Sequence, residues 1–291
     1  MSGRPKRTLD PGVGLVDALF ASDRVDGQTF NQLEYRHCTF ANVSFKDCII
    51  QGTTFQNCVF AGCYFRRAQI TNAKFIGCRF IDCDFPKIDV RNSEFKYNSF
   101  IRCYISYGEL KDSLPPQGNL KSEMCVNLAS EARAKGDIRD SERFRQAAAD
   151  GLEEYLWAII TGRSEFHRQK YGTADRWAAL AKLTASKVRR HLWGYRRSWI
   201  VVLRNWLALV LVGFPLWFYG VREGIKRNNR PAEVADIWLA SLANALPGSR
   251  ISDVTFVSAA AQFAALSEVL VSVLFGGLTA ALLFRSIFER A

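Results

Sequence analysis

The sequence predicts a mixed fold in three parts: a stack of short β-coils, a helical linker, and a membrane module with two transmembrane helices and a re-entrant pore-type helix between them. Three observations carry this. A bulky apolar residue recurs at every fifth position from Phe30 to Leu110. Beyond Leu120 the apolar period becomes helical. Two uncharged apolar stretches, 205–221 and 269–284, then occupy the last third of the chain. The expected segments are an N-terminal cap over 1–29, coils over 30–112, a helical hairpin and amphipathic interfacial helix over 113–198, and the two-span module over 199–291.

The coils come first. In FAGCYFRRAQITNAKFIGCRFIDCDF, residues 60–85, the large apolar residues are Phe60, Phe65, Ile70, Phe75, Phe80 and Phe85. Two positions before each stands a small residue: Cys58, Cys63, Ala68, Ala73, Cys78 and Cys83. A spacing of five is neither the helical nor the strand period. The chemistry persists at a spacing of twenty. Tyr35, Phe55, Phe75 and Phe95 form one column; Phe40, Phe60, Phe80 and Phe100 a second; Phe45, Phe65, Phe85 and Ile105 a third. The fourth is Ile50, Ile70, Val90 and Leu110, without an aromatic. A bare period of five does not keep aromatics out of one column; a period of twenty does.

On these residues the segment resembles the pentapeptide-repeat family. The resemblance implies a right-handed quadrilateral β-helix, one pentapeptide per side and twenty residues per coil, hence about four coils. Each side would pair with the side above it at the strand spacing of ~4.8 Å. Coils bury their faces only against other coils, so both ends need caps. Val13–Phe20 is expected to supply an amphipathic cap, and the break DSLPPQGN (112–119) to close the other end.

Seven of the eight cysteines fall in the five-residue register. Cysteine behaves as a small hydrophobe. No histidine joins the columns and Cys-x₂-Cys spacing is absent. They read as packing residues, with no metal and no cofactor expected.

Two helical runs follow. In EMCVNLASEARAKGD, Met124, Leu128 and Ala132 share a face before a Gly136–Asp137 turn. In IRDSERFRQAAADGLEEYLWAII, Phe144, Ala148, Leu152, Tyr155, Leu156 and Ile159 are expected inward. The pair looks like a tetratricopeptide-type hairpin, and its reading here is an adaptor. RWAALAKLTASKVRRHLWGYRRSW (176–199) is basic, amphipathic and aromatic-ended, which suits a membrane interface.

The formal charge is +11, from 39 Lys/Arg against 28 Asp/Glu. The dense basic runs, 187–197 and 221–230, bracket the most apolar stretch, whereas Phe30–Leu110 carries ten basic against seven acidic residues. That pattern indicates a lipid bilayer as neighbour and no nucleic acid. Imitation of DNA, a role of some pentapeptide-repeat proteins, needs an acidic surface. Nor is an enzyme expected: His37, His167 and His191 are scattered, and no phosphate loop or nucleophile motif is present, so no catalytic residue is assigned. No stretch reads as a secretory signal.

With Trp199–Arg204 added, the first apolar stretch reaches about twenty-three residues, enough to cross a bilayer. Pro215 is a kink candidate within it. The second span extends backwards past one acid, Glu268. Between them ADIWLASLANAL is too short to span and suits a re-entrant helix, ended by Pro247-Gly248. This order resembles the two-span pore module of potassium-channel-like proteins. The resemblance implies a homo-oligomer, a tetramer if it conducts, with a filter region at Leu246, Pro247, Gly248, Ser249, Arg250 and Ser252. The segment departs from the potassium pattern: Gly-Tyr-Gly is missing and Arg250 would repel cations.

Glu268 either braces the pore loop, accepting hydrogen bonds from the Ser249 or Ser252 region, or sits at a wet interface. Gly276-Gly277 is either a gating hinge or a close helix contact. Seven basic residues flank the spans on the terminal side against five in the connection. That favours cytoplasmic N- and C-termini and a multi-pass protein of the cell (inner) membrane. The expected function is a channel-like, ion-conducting or membrane-permeabilising pore regulated by a cytoplasmic repeat domain that binds a protein partner. The alternative is a non-conducting, membrane-anchored scaffold displaying that domain.

Overall fold

The computed structural model describes residues 7–193, 199–228, 230–246 and 254–288, with the backbone alone for 191–193 and 285–288. The chain divides into two compact units, Met1–Ser186 and Lys187–Ala291.

In the first unit the fifth-residue register becomes a four-sided β-helix of about four turns. One side is a five-stranded parallel sheet of Leu19–Ala21, Thr39–Ala41, Val59–Ala61, Arg79–Ile81 and Ser99–Ile101. A second side stacks Thr29–Asn31, Ile49–Gln51, Gln69–Thr71 and Asp89–Arg91; a third stacks Glu34–Arg36, Thr54–Gln56, Lys74–Ile76 and Glu94–Lys96. The fourth is a ladder of single bridges from Arg24 through Ser44, Tyr64 and Asp84 to Tyr104. Within each stack the partners lie twenty residues apart, as in Phe40↔Phe60 and Phe60↔Phe80.

The column chemistry explains this register. A one-residue slip would turn every bulky residue outward. Along the second column the rings of Phe40, Phe60, Phe80 and Phe100 lie parallel, 4.7–4.9 Å apart. Neighbouring columns meet edge to face, as Phe55 and Phe60 do at 5.4 Å and 69°. Both arrangements suit the ring quadrupole. Two residues after each bulky residue the backbone turns a corner in the left-handed region, at Asn42, Gly52, Asn57, Gly62, Asn72, Gly77, Asp82 and Asn92 among others. These residue types tolerate that conformation best.

Seven of the eight cysteines sit in the small slots, and all eight are buried and unbridged. Cys58, Cys63, Cys78 and Cys83 each donate Sγ–H to a main-chain carbonyl 23 residues earlier, at 3.3–3.4 Å. Burial pushes the Cys48 thiol up to about 11 and the Cys125 thiol up to about 12, so thiolate is scarce at neutral pH.

The N-terminal boundary differs from expectation. Val13–Phe20 is not an amphipathic cap over the coils. Leu19–Ala21 is already a strand, with Phe20 opposite Phe40, and Phe20 and Val25 are buried in the columns. Ala18-x-Phe20 is the same small-x-bulky signature that marks the later repeats. Phe30, opposite Ile50, puts an aromatic at the head of the otherwise aliphatic column.

The other end is closed by side chains. After the short helix α1 (Tyr107–Leu110), whose Leu110 is fully buried, come α2 (Gly118–Ala134) and α3 (Ile138–Thr161). Asn127 of α2 accepts from Phe100 N at 2.8 Å and donates to Phe100 O at 2.9 Å. One side-chain amide thus replaces the strand that a further coil would offer. One turn on, Glu131 accepts from Cys103 N at 3.2 Å. A sheet edge left open would invite pairing with another chain; this one is occupied. Asp137 caps α3 by accepting from Asp140 N, after a left-handed Gly136.

Met124, Leu128, Ala132, Phe144, Ala148, Leu156 and Ile159 are buried as expected. Leu152 is not: it is 44% exposed. Gly151 takes the contact instead. A Cβ built on Gly118 would lie 2.4 Å from Gly151 O, so the two backbones cross where only glycine fits. Next come α4 (Glu165–Lys170) and α5 (Thr173–Trp193). Ala179 and Leu183 of α5 pack on Leu156 and Ile159, while Trp177 faces outward.

Among its described residues the second unit holds two helices long and apolar enough to cross a membrane, Trp199–Gly220 and Ala259–Phe284. The first is interrupted: α6 (Trp199–Ala208), a π turn at Leu209–Gly213, then α7 (Phe214–Gly220). The second lies within α9 (Ala259–Phe288). Between them is the short helix α8 (Val234–Ala245). Ile225–Arg227, which follows the first span, pairs antiparallel with Val254–Phe256, which precedes the second. One small sheet therefore ties the two span ends on the same side.

Candidate functional site

The site candidates lie in the second unit, and Pro215 organises them. Proline has no N–H and its ring crowds the carbonyl four residues back. The helix answers with a π turn, in which Phe214 N–H reaches back five residues to Leu209 O. In that register the donor for Val210 O would be residue 215, the proline. Val210 O therefore has no N–H to receive in that register. Ser241 of α8 fills the gap: its Oγ lies 2.7 Å from Val210 O.

The same Ser241 hydroxyl is hydrogen-bonded to Glu268 Oε1 of α9. Asn244 Nδ2 donates to Glu268 Oε2 at 3.4 Å. Ser241 and Glu268 are both 0% exposed. Val210 stands near the middle of the first span and Glu268 in the first half of the second. At 1.5 Å per residue both are roughly 15 Å from the sheet that joins the span ends. α8 starts beside that sheet, where Asp236 Oδ1 meets Nη1 of Arg227 at 2.5 Å, and points its polar residues inward to mid-span. It is a half-length helix held by polar contacts to both spans, and its Ile237 packs in a buried apolar cluster with Phe214, Phe218, Ile225, Ala261 and Ala264.

Of the expected site residues, Leu246 ends α8 and is half exposed. Pro247, Gly248, Ser249, Arg250 and Ser252 lie outside the described residues. Glu268 is not at a wet interface, because it is fully buried. Its partners among the described residues are Ser241 and Asn244; Ser249 and Ser252, the expected donors, lie outside the described residues. Gly276 and Gly277 lie in an unbroken helix, with nothing within 4 Å of either Cβ position among the described residues. Ser241, Asn244 and the Val210 carbonyl were not anticipated. The sequence signal was there: two polar residues at i, i+3 in the apolar ASLAN, facing an acid in the following span. Two further buried polar atoms, Trp206 Nε1 and Ser272 Oγ, have no hydrogen-bond partner among the described residues.

The first unit presents sheet surfaces of differing charge. Outward positions of the five-stranded sheet are Leu19, Ala21, Thr39, Ala41, Val59, Ala61, Arg79, Ile81, Ser99 and Ile101, with one charge among them. The other two sheets turn out Glu34, Arg36, Lys74, Asp89, Arg91, Glu94 and Lys96. Among the described residues no group of His, Cys, Asp or Glu is arranged to hold a metal ion.

Residues 28–113 match the family described as pentapeptide repeat region. No curated protein matches the chain. Similar solved structures include a trypsin-treated form of QnrB1, a plasmid-mediated fluoroquinolone resistance protein, at 20% identity and a TM-score of 0.21 over 31% of this chain and 60% of that one. HetL, a pentapeptide repeat protein involved in heterocyst differentiation regulation from Nostoc sp. strain PCC 7120, is 9% identical, with a TM-score of 0.18 over 32% and 42%. A pentapeptide repeat protein of the Arabidopsis thaliana thylakoid lumen is 15% identical, with a TM-score of 0.17 over 35% and 77%. The chain thus spans less than two thirds of the length of the first two.

Proposed function

We propose that this is a channel-like membrane protein, a pore built from several copies and regulated by its pentapeptide-repeat domain. One observation carries the reading: α8, too short to span, is held at mid-depth by Ser241 between Val210 of the first span and Glu268 of the second. By Val254 the chain is back in the sheet at the span ends. A half-helix that enters and returns on one side is tolerated in lipid only where protein or water surrounds it. The segment after α8, with Arg250, would then line the path. Arg250 disfavours cation selectivity, so the pore is non-selective or anion-tolerant. The repeat domain lies with both termini in the cytoplasm of a cell with an inner membrane and takes a protein partner. The outward side of the five-stranded sheet is its least charged face.

A second reading has its own observation. Gly-Tyr-Gly is missing, and an anchor that only displays the repeat domain needs no filter. Purified protein in planar bilayers separates the two. The pore reading expects ion flux that Arg250→Ala or Arg250→Glu alters in selectivity. Silence across voltage, pH and ionic composition would establish the anchor.

A further inference from the structure

We propose that Glu268 is a proton-binding site inside the membrane unit: its carboxyl group is held in the neutral form and donates to Ser241 Oγ, which in turn donates to Val210 O. The inference comes from counting protons. Ser241 Oγ lies within hydrogen-bond distance of two groups, Val210 O and Glu268 Oε1, and a hydroxyl carries one proton. Val210 O needs that proton, because the residue that would donate to it in the π register is Pro215. The hydrogen of the Ser241–Glu268 bond must then come from the glutamate. Asn244 Nδ2, on the other carboxyl oxygen, serves as donor to the C=O of a protonated acid. The order is Glu268 O–H to Ser241 O–H to Val210 C=O, with each hydroxyl proton used once.

The surroundings agree. α9 packs against α6, α7, α8, Val254–Phe256 and the turn Arg222–Gly224. Their described titratable and charged residues are Arg204, Tyr219, Asp236, Arg222 and Glu223. Asp236 is paired with Arg227, Arg204 with Asn205, and Arg222 lies over the Tyr219 ring. Among the described residues no cation pairs with Glu268, and a buried carboxylate without a counter-charge is strongly disfavoured. The proton therefore latches α8 to both spans. Losing it would set a carboxylate and the Val210 carbonyl in competition for one hydroxyl hydrogen, and loosen α8. The proposal holds whether or not the unit conducts.

The test uses infrared spectroscopy of the full chain in phosphatidylcholine vesicles at neutral pH, with and without ¹³C-labelled glutamate. The expected result is a protonated-carboxyl C=O band that shifts with the label and is lost in Glu268→Gln. A wild-type spectrum lacking the band, or a band that survives Glu268→Gln, overturns the proposal. Pro215→Ala keeps every side chain of the relay and also serves where Glu268→Gln does not fold. By restoring an N–H at position 215 it frees the Ser241 proton for a carboxylate, and the band should shrink. An unchanged band would overturn the relay.

Discussion

Phe60 in the repeat unit and Leu270 on α9 are both large and apolar, yet Phe60 is 0% exposed and Leu270 is 63% exposed. The two units are built with opposite polarity. The coils draw their apolar residues into one continuous column and set charge on the outside. On α9, Phe263, Leu266, Leu270, Val273 and Leu274 face outward, while Glu268 and Ser272 are inside. Water drives burial of apolar area only where water is the surroundings. In lipid, packing and buried polar contacts hold helices together. The inverted arrangement of the second unit is what a bilayer solvent would select.

The largest expected effect tests that contrast directly. Phe60→Ala opens a cavity amid stacked rings and should cost about 3–5 kcal/mol of the repeat unit's stability. Leu270→Ala, facing outward, should change the stability of the membrane unit by under about 0.5 kcal/mol. Thermal unfolding followed by circular dichroism in lipid nanodiscs measures both. Equal losses would mean that Leu270 is packed against protein and would break the comparison.

A smaller effect concerns the closing contact of the coil stack. Asn127→Ala strands the N–H and C=O of Phe100 and should cost about 1–3 kcal/mol. Asn127→Asp keeps the acceptor and loses the donor, so it should fall between Ala and the wild type. Urea unfolding midpoints rank the three.

The smallest concerns pH. The Tyr104 hydroxyl, donating at 2.6 Å, and Asp140 N–H hold the Asp137 carboxyl below the usual carboxylate range. A lowered value in the folded state means that this stabilisation is complete above the unfolded-state value. It is lost as pH falls through the folded one. The group is largely solvated, so the effect is under about 1 kcal/mol. Tyr104→Phe should lower the melting temperature slightly at neutral pH, leave it little changed in strong acid, and so flatten the acid limb of the profile.

The coil stack was legible because its signal is repeated. Each of Phe40, Phe60, Phe80 and Phe100 predicts the next, and the register leaves one solution. Its first turn was missed because Val25 is aliphatic at the head of the column Phe45, Phe65 and Phe85, although Phe20 keeps the chemistry of its own column. The site in the second unit was legible only in outline. Glu268 stood out as an acid in a span, but its partners did not. The bond to Ser241 exists because Pro215, twenty-six residues earlier, strips a carbonyl of its donor. That is a tertiary consequence of a missing hydrogen, and no periodicity encodes it. Leu152 was misplaced for a related reason: at that level of the face the contact is a backbone crossing of Gly118 and Gly151, which leaves a large side chain outside.

The amide of Asn127 also bears on how such a protein changes length. A β-helix has no inherent number of turns; it can grow by any insertion that preserves its screw. Gain or loss of twenty residues upstream would lengthen or shorten the column by ~4.8 Å and return the chain to the same angle. The terminating side chain would then meet an equivalent backbone and still close the stack. A gain of five would turn everything beyond it by a quarter and carry that full stop to the wrong side.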